Sequence, residues 1–242
     1  MKRATVVFLV VALVPAIAGA TLKPAAHGDF GHYTFALTWQ PGICGTGGGC
    51  LRDQPHAPWI GLHGLWASRP RALIESGVTD REWWSRGCDY YRHDSSAPPI
   101  SSGLRRALDA VMPHFRDSLL THEYDKHVAC FGFNATTFFS TELAMRRAVV
   151  ASAFGRYLVS QAGRNVSHAA VSSQFVSAFS TDKRTSVQLR CERNAAGQTV
   201  LTQFWITIRT GEVDRFPSAS SLMNALTDQD TCPPVFLVPA WR

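Results

Sequence analysis

Alternating apolar and polar residues predict the first strand of the chain. Residues 33–39 alternate between large apolar side chains and smaller or polar ones, which is typical of a half-buried β-strand. Pro41-Gly42 ends this pattern. The largely apolar residues 59–66 predict a second, buried strand, and the Gly- and Pro-rich residues 42–58 predict a loop between the two.

The middle of the chain has the periodicity of helices. Ser102 can cap a helix that ends near Pro113, and residues 117–129 predict another helix. Residues 136–161 predict one long helix or two adjoining helices, which Gly163 would stop.

Strand patterns return towards the C-terminus. Residues 185–192 and 199–209 predict two strands joined by a hairpin at 194–197. Residues 235–238 predict a short last strand. Because strands come first and last with helices between them, the predicted fold class is α+β.

The first twenty residues predict an export signal. A positively charged start precedes an apolar stretch at 4–14, and small-x-small cleavage sites end at Ala18 and Ala20. The apolar stretch is too short for a transmembrane helix, and no later stretch is long and apolar enough to span a bilayer. We therefore expect a periplasmic or secreted protein without a membrane anchor, with a single domain at 21–242.

The cysteine count adds an expectation of disulfides. An even number of cysteines behind an export signal indicates three disulfides in an oxidising compartment, and the absence of a CxxC spacing argues against a zinc site. The cysteines are Cys44, Cys50, Cys88, Cys130, Cys191 and Cys232. Six cysteines allow about fifteen pairings, of which locality favours Cys44–Cys50. The net charge of +6 is compatible with a polyanionic substrate but carries little weight alone.

Two short segments carry candidate chemistry. Residues 122–127 contain two imidazoles, a carboxylate and an ammonium, on His122, His127, Glu123 and Lys126. A third imidazole, that of His63, lies in the apolar segment that ends in a tryptophan. Two histidines that exchange protons while a cation stabilises an anion are what cleavage of a phosphodiester requires. Taken separately, a histidine in an apolar strand is more often a core residue, and a charged helix face is more often solvated surface.

Helix geometry argues against a metal cofactor. On a regular helix, His122 and His127 diverge by about 140°, so we do not expect them to bind one ion together.

Two alternative functions stay open. One is a hydrolase that uses the thiol of Cys130 with His127. The other is a non-catalytic RNA-binding or interaction protein.

The two segments are similar to those of a known family. Leu62-His63-Gly64-Leu65-Trp66 and the segment 122–130 resemble the two active-site segments of the ribonuclease T2 family, in the same order and at the same separation. The strand and turn at 35–44 agree with the family, and the paired Trp83-Trp84 is similar to its bacterial, periplasmic branch. The resemblance implies a central antiparallel sheet with helices packed around it.

The resemblance also implies a reaction. It predicts an endoribonuclease of broad base preference that needs no metal and acts by attack of the ribose 2′-hydroxyl, giving 2′,3′-cyclic phosphates and then 3′-phosphates. RNA is the expected substrate, DNA would not be cleaved, and the protein is expected to be a monomer. By the same resemblance, His127 is the general base, His63 is the general acid, His122 binds the phosphate, and Glu123 and Lys126 stabilise the transition state.

Further expectations follow for individual residues. Trp66 is expected to stack on a base, with core filling as the alternative. The resemblance pairs Cys88 with Cys130 and Cys191 with Cys232. Ala67 and Ser68 stand where many members have Pro and Asp, so base preference does not carry over. Most remaining histidines are expected to be exposed in loops or at the ends of elements, namely His27, His32, His56, His93, His114 and His168.

Overall fold

A computed structural model describes residues 22–47, 49–55 and 59–241. The predicted export signal at 1–20 lies outside these residues. None of the helices in the described part is long and apolar enough to cross a membrane.

The described part of the chain forms one sheet of six strands. They are β1 (His32–Trp39), β2 (Ile60–Ala67), β3 (Arg164–Ser167), β4 (Val187–Arg193), β5 (Thr199–Arg209) and β6 (Val235–Val238). Their order in the sheet is β2-β1-β5-β6-β3, with β4 also paired to β5. β1 pairs antiparallel with β2 and β5, and β4 pairs antiparallel with β5. The predicted antiparallel sheet is therefore confirmed, with one parallel contact where β6 meets β5.

Eight α-helices accompany the sheet in the described part of the chain. They are α1 (Gln40–Gly45), α2 (Arg71–Glu75), α3 (Asp80–Arg86), α4 (Ser102–Asp109), α5 (Leu119–His127), α6 (Ala135–Ala151), α7 (Ala153–Ser160) and α8 (His168–Ala178). The pattern at 136–161 resolves into two adjoining helices because Ser152 caps α7, its hydroxyl accepting from the Gly155 amide. Gly163 follows with a φ of 81°, the left-handed conformation expected of a helix stop.

Four elements differ from the sequence prediction. α1 begins at Gln40, just before the predicted loop, and extends into it, with a proline in its first turn. α4 is capped by the hydroxyl of Ser101 and not by that of Ser102. The strand β3 is only four residues long, too short for a periodic pattern. In α8, Val171 and Phe175 are the buried residues, so the apolar face is a single i, i+4 pair among small and polar side chains.

The core lies between the sheet and its helices. Along β1, Phe35, Leu37 and Trp39 are fully buried, as the alternation predicts. Ala36 and Thr38, on the opposite face, are also fully buried, so the strand is more than half-buried. On that opposite face, Thr34 stays partly exposed because it lines the cleft described below.

Three disulfides link the elements, with the pairing that locality and the resemblance predict. They are Cys44–Cys50, Cys88–Cys130 and Cys191–Cys232. The second one ties a 3-10 turn at Gly87–Tyr90 to the segment that follows α5. The end of α5 and this turn are thus held close together, which matters for the site.

Candidate active site

A β-bulge in β2 allows two site residues, His63 and Trp66, to face the same cleft. Ala36 of β1 pairs with Gly64 and Leu37 pairs with Leu62, so His63 is the extra residue of the ladder. In a regular strand, residues three apart would point to opposite faces. The bulge removes this conflict, and His63 and Trp66 both line the same cleft.

Helix α5 supplies the remaining predicted residues. Ser118 caps the helix by accepting a hydrogen bond from the Thr121 amide. Glu123 faces inwards and is 2% exposed, while His122 is exposed at the cleft. His127, the last residue of the helix, is half-buried and lines the same cleft. The structure therefore brings together His63, His122, Glu123 and His127 from two distant segments.

The buried carboxylate of Glu123 joins β2 to α5. It accepts a hydrogen bond from Trp66 Nε1 at 2.6 Å, and its other oxygen lies 3.3 Å from His63 Nε2. Gly64 makes room for it, because a Cβ at this position would lie 2.0 Å from Glu123 Oε2. Burial alone would raise the pKa of Glu123. The contacts with His63, His127 and Trp66 lower it by a larger amount, so the net shift is downwards. Glu123 is therefore a fixed anion beside His63.

The pKa values of His63 and His127, the two histidines close to this anion, shift in opposite directions. Burial lowers the pKa of His63, but the Glu123 carboxylate and a hydrogen bond to Gln203 outweigh it and raise the pKa above the ordinary value. Burial lowers the pKa of His127 to about 4, reinforced by the cations of His122, His63 and Lys126 against the attraction of Glu123. At mildly acidic pH, the ring of His63 therefore carries an extra proton and the ring of His127 does not.

Lys126 lies apart from these groups. Its ammonium pairs with the carboxylate of Asp89 and lies 3.4 Å from the Arg86 carbonyl oxygen. It is not among the residues that line the cleft. Of the predicted catalytic residues, Lys126 is the one that the structure does not bring to the shared cleft.

The cleft has a volume of about 560 Å³, and its wall includes residues of strands β4 and β5 and of the segment 225–231. Gln203 Oε1 accepts hydrogen bonds from His63 Nδ1 at 2.9 Å and from Trp205 Nε1 at 3.0 Å. The guanidinium of Arg190 stacks over the Trp205 ring at 4.6 Å. These residues were not predicted from the sequence. The pattern that could have indicated them is the alternation of Gln203, Trp205 and Thr207 with buried apolar residues along β5.

The sequence profile of the Ribonuclease T2 family matches residues 30–218. The chain belongs to the ribonuclease T2 family. It is a T2-type endoribonuclease. A curated relative, Ribonuclease I of Escherichia coli (strain K12), is 28% identical and aligns with 84% of each chain.

Solved structures of other ribonucleases have the same fold as this T2 ribonuclease. A mutant of RNase MC1 in complex with 5′-GMP has a TM-score of 0.61 at 20% identity, covering 86% of this chain and 100% of that one. Ribonuclease MC1 from the seeds of bitter gourd has a TM-score of 0.57 at 21% identity, with coverage of 86% and 100%. RNase NT in complex with 5′-AMP has a TM-score of 0.58 at 16% identity, with coverage of 87% and 98%.

Trp66 is enclosed by other rings of the ribonuclease site. Its ring centroid lies 5.0 Å from that of His63, 5.3 Å from that of His127 and 5.2 Å from that of Trp205. These contacts and its bond to Glu123 hold the Trp66 ring in place beside the two histidines. Trp84, also on the cleft and 50% exposed, presents a freer aromatic surface.

The expected divergence of His122 and His127 is wrong. Their ring centroids are 6.3 Å apart, and a nitrogen of each ring and an oxygen of Glu123 lie within 4.8 Å of one another. The helical projection considers only the directions in which side chains leave the backbone. Here both long side chains approach the carboxylate that lies between them.

Cys130 is excluded as a nucleophile because it forms the disulfide with Cys88. This removes the thiol hydrolase alternative. The expectation that most other histidines are exposed is also wrong. Among those described, only His27 is exposed, while His32 lines the cleft and the others have hydrogen-bonding partners, namely His93, His114 and His168. Carboxylates elsewhere in the chain hold these rings, which sequence spacing does not reveal. His56 lies outside the described residues.

Proposed function

We propose that this T2 ribonuclease is an exported enzyme of broad base preference that cleaves RNA by attack of the ribose 2′-hydroxyl, without a metal. The observation that carries the proposal is the pair of histidines on one cleft. The pKa of His63 is raised and that of His127 is lowered to about 4. A phosphodiester between them would find one acid and one base already in the required protonation states.

The proposed chemistry follows from these states. The 2′-oxygen forms a bond to phosphorus and its proton passes to His127. The bond from phosphorus to the 5′-oxygen breaks, and that oxygen takes a proton from His63. The product is a 2′,3′-cyclic phosphate, and water can then hydrolyse it to a 3′-phosphate with the two roles reversed. Because Gln203 engages His63 Nδ1, the proton for transfer is on Nε2.

The remaining residues act on charge and orientation. His122, exposed on the cleft, is the proposed phosphate ligand. Glu123 holds His63 in its charged form and correct orientation, and so supports the transition state through that ring. Lys126 would contribute to charge stabilisation once its ammonium leaves Asp89, a movement that a flexible lysine side chain permits.

Broad base preference is supported by the character of the cleft. Aromatic rings, among them those of Trp66, Trp84 and Trp205, line it. Stacking on such rings contributes about 1–3 kcal/mol per base and tolerates any base. Trp84 is the proposed main stacking surface because it is the most open of the three, with Trp66 contributing its remaining exposed edge.

Export to the periplasm or the exterior is proposed from the signal at residues 1–20, with cleavage near Ala18 or Ala20. The three disulfides favour an oxidising compartment. The protein is proposed to act as a monomer with no membrane anchor, on RNA and not on DNA.

The test is product analysis on dinucleoside monophosphates. All sixteen ribose compounds should be cleaved to 2′,3′-cyclic phosphates, while the matched 2′-deoxy compounds should stay intact. Turnover should persist in excess chelator. Cleavage of the deoxy compounds, or complete loss of turnover with chelator, would reject the mechanism. Binding of RNA without any product would instead support the non-catalytic alternative.

A further inference from the structure

A second group of metal-ligating side chains lies next to the active site but outside the cleft. Asp89, His93 and Asp125 each offer one ligand atom, and these atoms lie within 4.8 Å of one another. None of the three lines the catalytic cleft. Asp89 belongs to the 3-10 turn at Gly87–Tyr90 and Asp125 to α5, and the neighbouring Cys88–Cys130 disulfide holds these two segments together.

His93 is oriented as a metal ligand. Its Nδ1–H donates to the Tyr91 carbonyl oxygen at 2.9 Å, which leaves Nε2 facing Asp125 Oδ1, also at 2.9 Å. A ligating histidine in proteins almost always donates its other N–H in this way, because the bond fixes the tautomer and the ring orientation. The side chain of His93 is only 7% exposed, so the ring is held in place. Asp89, with a side chain 44% exposed, leaves the group open to solvent.

We propose that Asp89, His93 and Asp125 form a binding site for a divalent transition metal, best suited to Zn²⁺, which controls Lys126. One imidazole and two carboxylates are ligands that Zn²⁺ accepts, with water in the fourth position. Two carboxylate charges balance the charge of the ion, whereas the apo protein must balance them with His93 and Lys126.

The consequence for Lys126 follows from its present partner. Its ammonium is bound to the same Asp89 carboxylate that would ligate the ion. A divalent cation there would take over this carboxylate and repel the ammonium. The released side chain would then be available for the charge stabilisation proposed above for Lys126. This regulatory part of the inference rests on the proposed function of Lys126, whereas the metal site itself does not.

The test is calorimetric titration of the purified protein with Zn²⁺, without RNA. The catalytic group of His122, Glu123 and His127 can also approach an ion, so the background carries His122→Asn and His127→Asn. This protein should bind one equivalent of Zn²⁺. Adding His93→Asn should abolish binding, and Asp125→Asn should weaken it at least tenfold.

His168→Asn is the matched control. His168 pairs with Asp230 at 2.7 Å, but no three-residue metal group includes it among the described residues. This variant should keep the single equivalent. Unchanged binding after His93→Asn and Asp125→Asn, or no binding in the background protein, would overturn the site. Circular dichroism on each variant confirms that the fold is retained.

NMR spectroscopy tests the release of Lys126 separately. The chain has four lysines, at positions 2, 23, 126 and 183, so NMR spectra of protein with isotope-labelled lysine are simple to assign. Zn²⁺ should shift the Cε resonance of Lys126 and leave that of Lys183 unchanged. A bound ion without this shift would overturn the control of Lys126. RNA cleavage by the wild-type protein, measured separately, tests the proposed function and does not depend on either result.

Discussion

The indole of Trp66 donates a hydrogen bond to the buried carboxylate of Glu123 at 2.6 Å. This bond joins strand β2 to helix α5, and the same carboxylate contacts His63 through its other oxygen. One anion therefore fixes the orientation of an aromatic ring and the charge of an imidazole. The position of His63 therefore depends on a contact between Trp66 and Glu123, which are 57 residues apart in the sequence.

Replacing Trp66 by Phe should separate positioning from stacking. The ring is retained, but Glu123 loses its donor, and a hydrogen bond to a charged group is worth about 1.5–3 kcal/mol. We expect kcat to fall roughly tenfold or more on that basis, with KM nearly unchanged. Steady-state kinetics on a dinucleoside monophosphate measures both. A raised KM with normal kcat would show that base stacking is the main role.

His63→Ala and His127→Ala should each lower kcat/KM by about 10²–10⁴, the contribution of one proton-transfer group. His114→Ala is the control, because this half-buried ring pairs with Asp53 away from the cleft and should leave kcat/KM within about twofold. Circular dichroism checks that the variants fold. Near-normal cleavage in either of the first two variants would reject the assigned roles.

The pH dependence of kcat/KM should be bell-shaped. The base His127 is lost on protonation as pH falls through about 4, and the acid His63 is lost on deprotonation as pH rises through its raised pKa. The plateau should therefore extend from mildly acidic pH to above the ordinary histidine value. Gln203→Leu removes a contact that raises the pKa of His63, so its alkaline limb should move to lower pH while the acidic limb stays. Movement of the acidic limb alone would contradict the assignment.

Gly64→Ala should damage the site through Glu123. The new Cβ would lie 2.0 Å from Glu123 Oε2, so the carboxylate must move, and a displacement of about 1 Å in an active site can cost 10²-fold in rate. Gly61→Ala is the control on the same strand, where a Cβ would instead lie 2.3 Å from Thr38 Oγ1. Both variants should lose thermal stability, but only Gly64→Ala should lose about 10²-fold in kcat. Equal losses of kcat would point to general disruption of β2.

Glu142→Gln should stabilise the protein at neutral pH. Burial and the charge of Glu123 raise the pKa of Glu142 well above its ordinary value, against a smaller opposing effect of the Leu65 backbone. An acid with a raised pKa in the folded state costs stability as pH rises above its unfolded value, because the unfolded chain releases the proton first. The variant removes this cost, so its free energy of unfolding at neutral pH should exceed that of the wild-type protein. Urea unfolding at mildly acidic and neutral pH, with the exposed Glu192→Gln as control, measures the difference.

Much of the fold could be predicted because periodic patterns report burial. The alternation in β1 and the helical spacing of α6 and α7 depend on local geometry, which is the same in any context. β3 and α8 were not predicted because β3 is only four residues long and α8 buries just two large residues, so the formation of both depends on neighbours in space. The bulge at His63 could not be predicted either, because a register shift depends on the pairing of two strands.

The sequence by itself determined which chemical groups are available: three imidazoles, a carboxylate and an ammonium in two segments with the order of the ribonuclease T2 family. Residue identity and spacing are enough for this, because a reaction needs particular groups. Only the tertiary structure decided which of them share a cleft, that the pKa values of His63 and His127 move apart, and that the ammonium of Lys126 is held by Asp89. Burial and charge arise between residues far apart in the chain, so only folding fixes them.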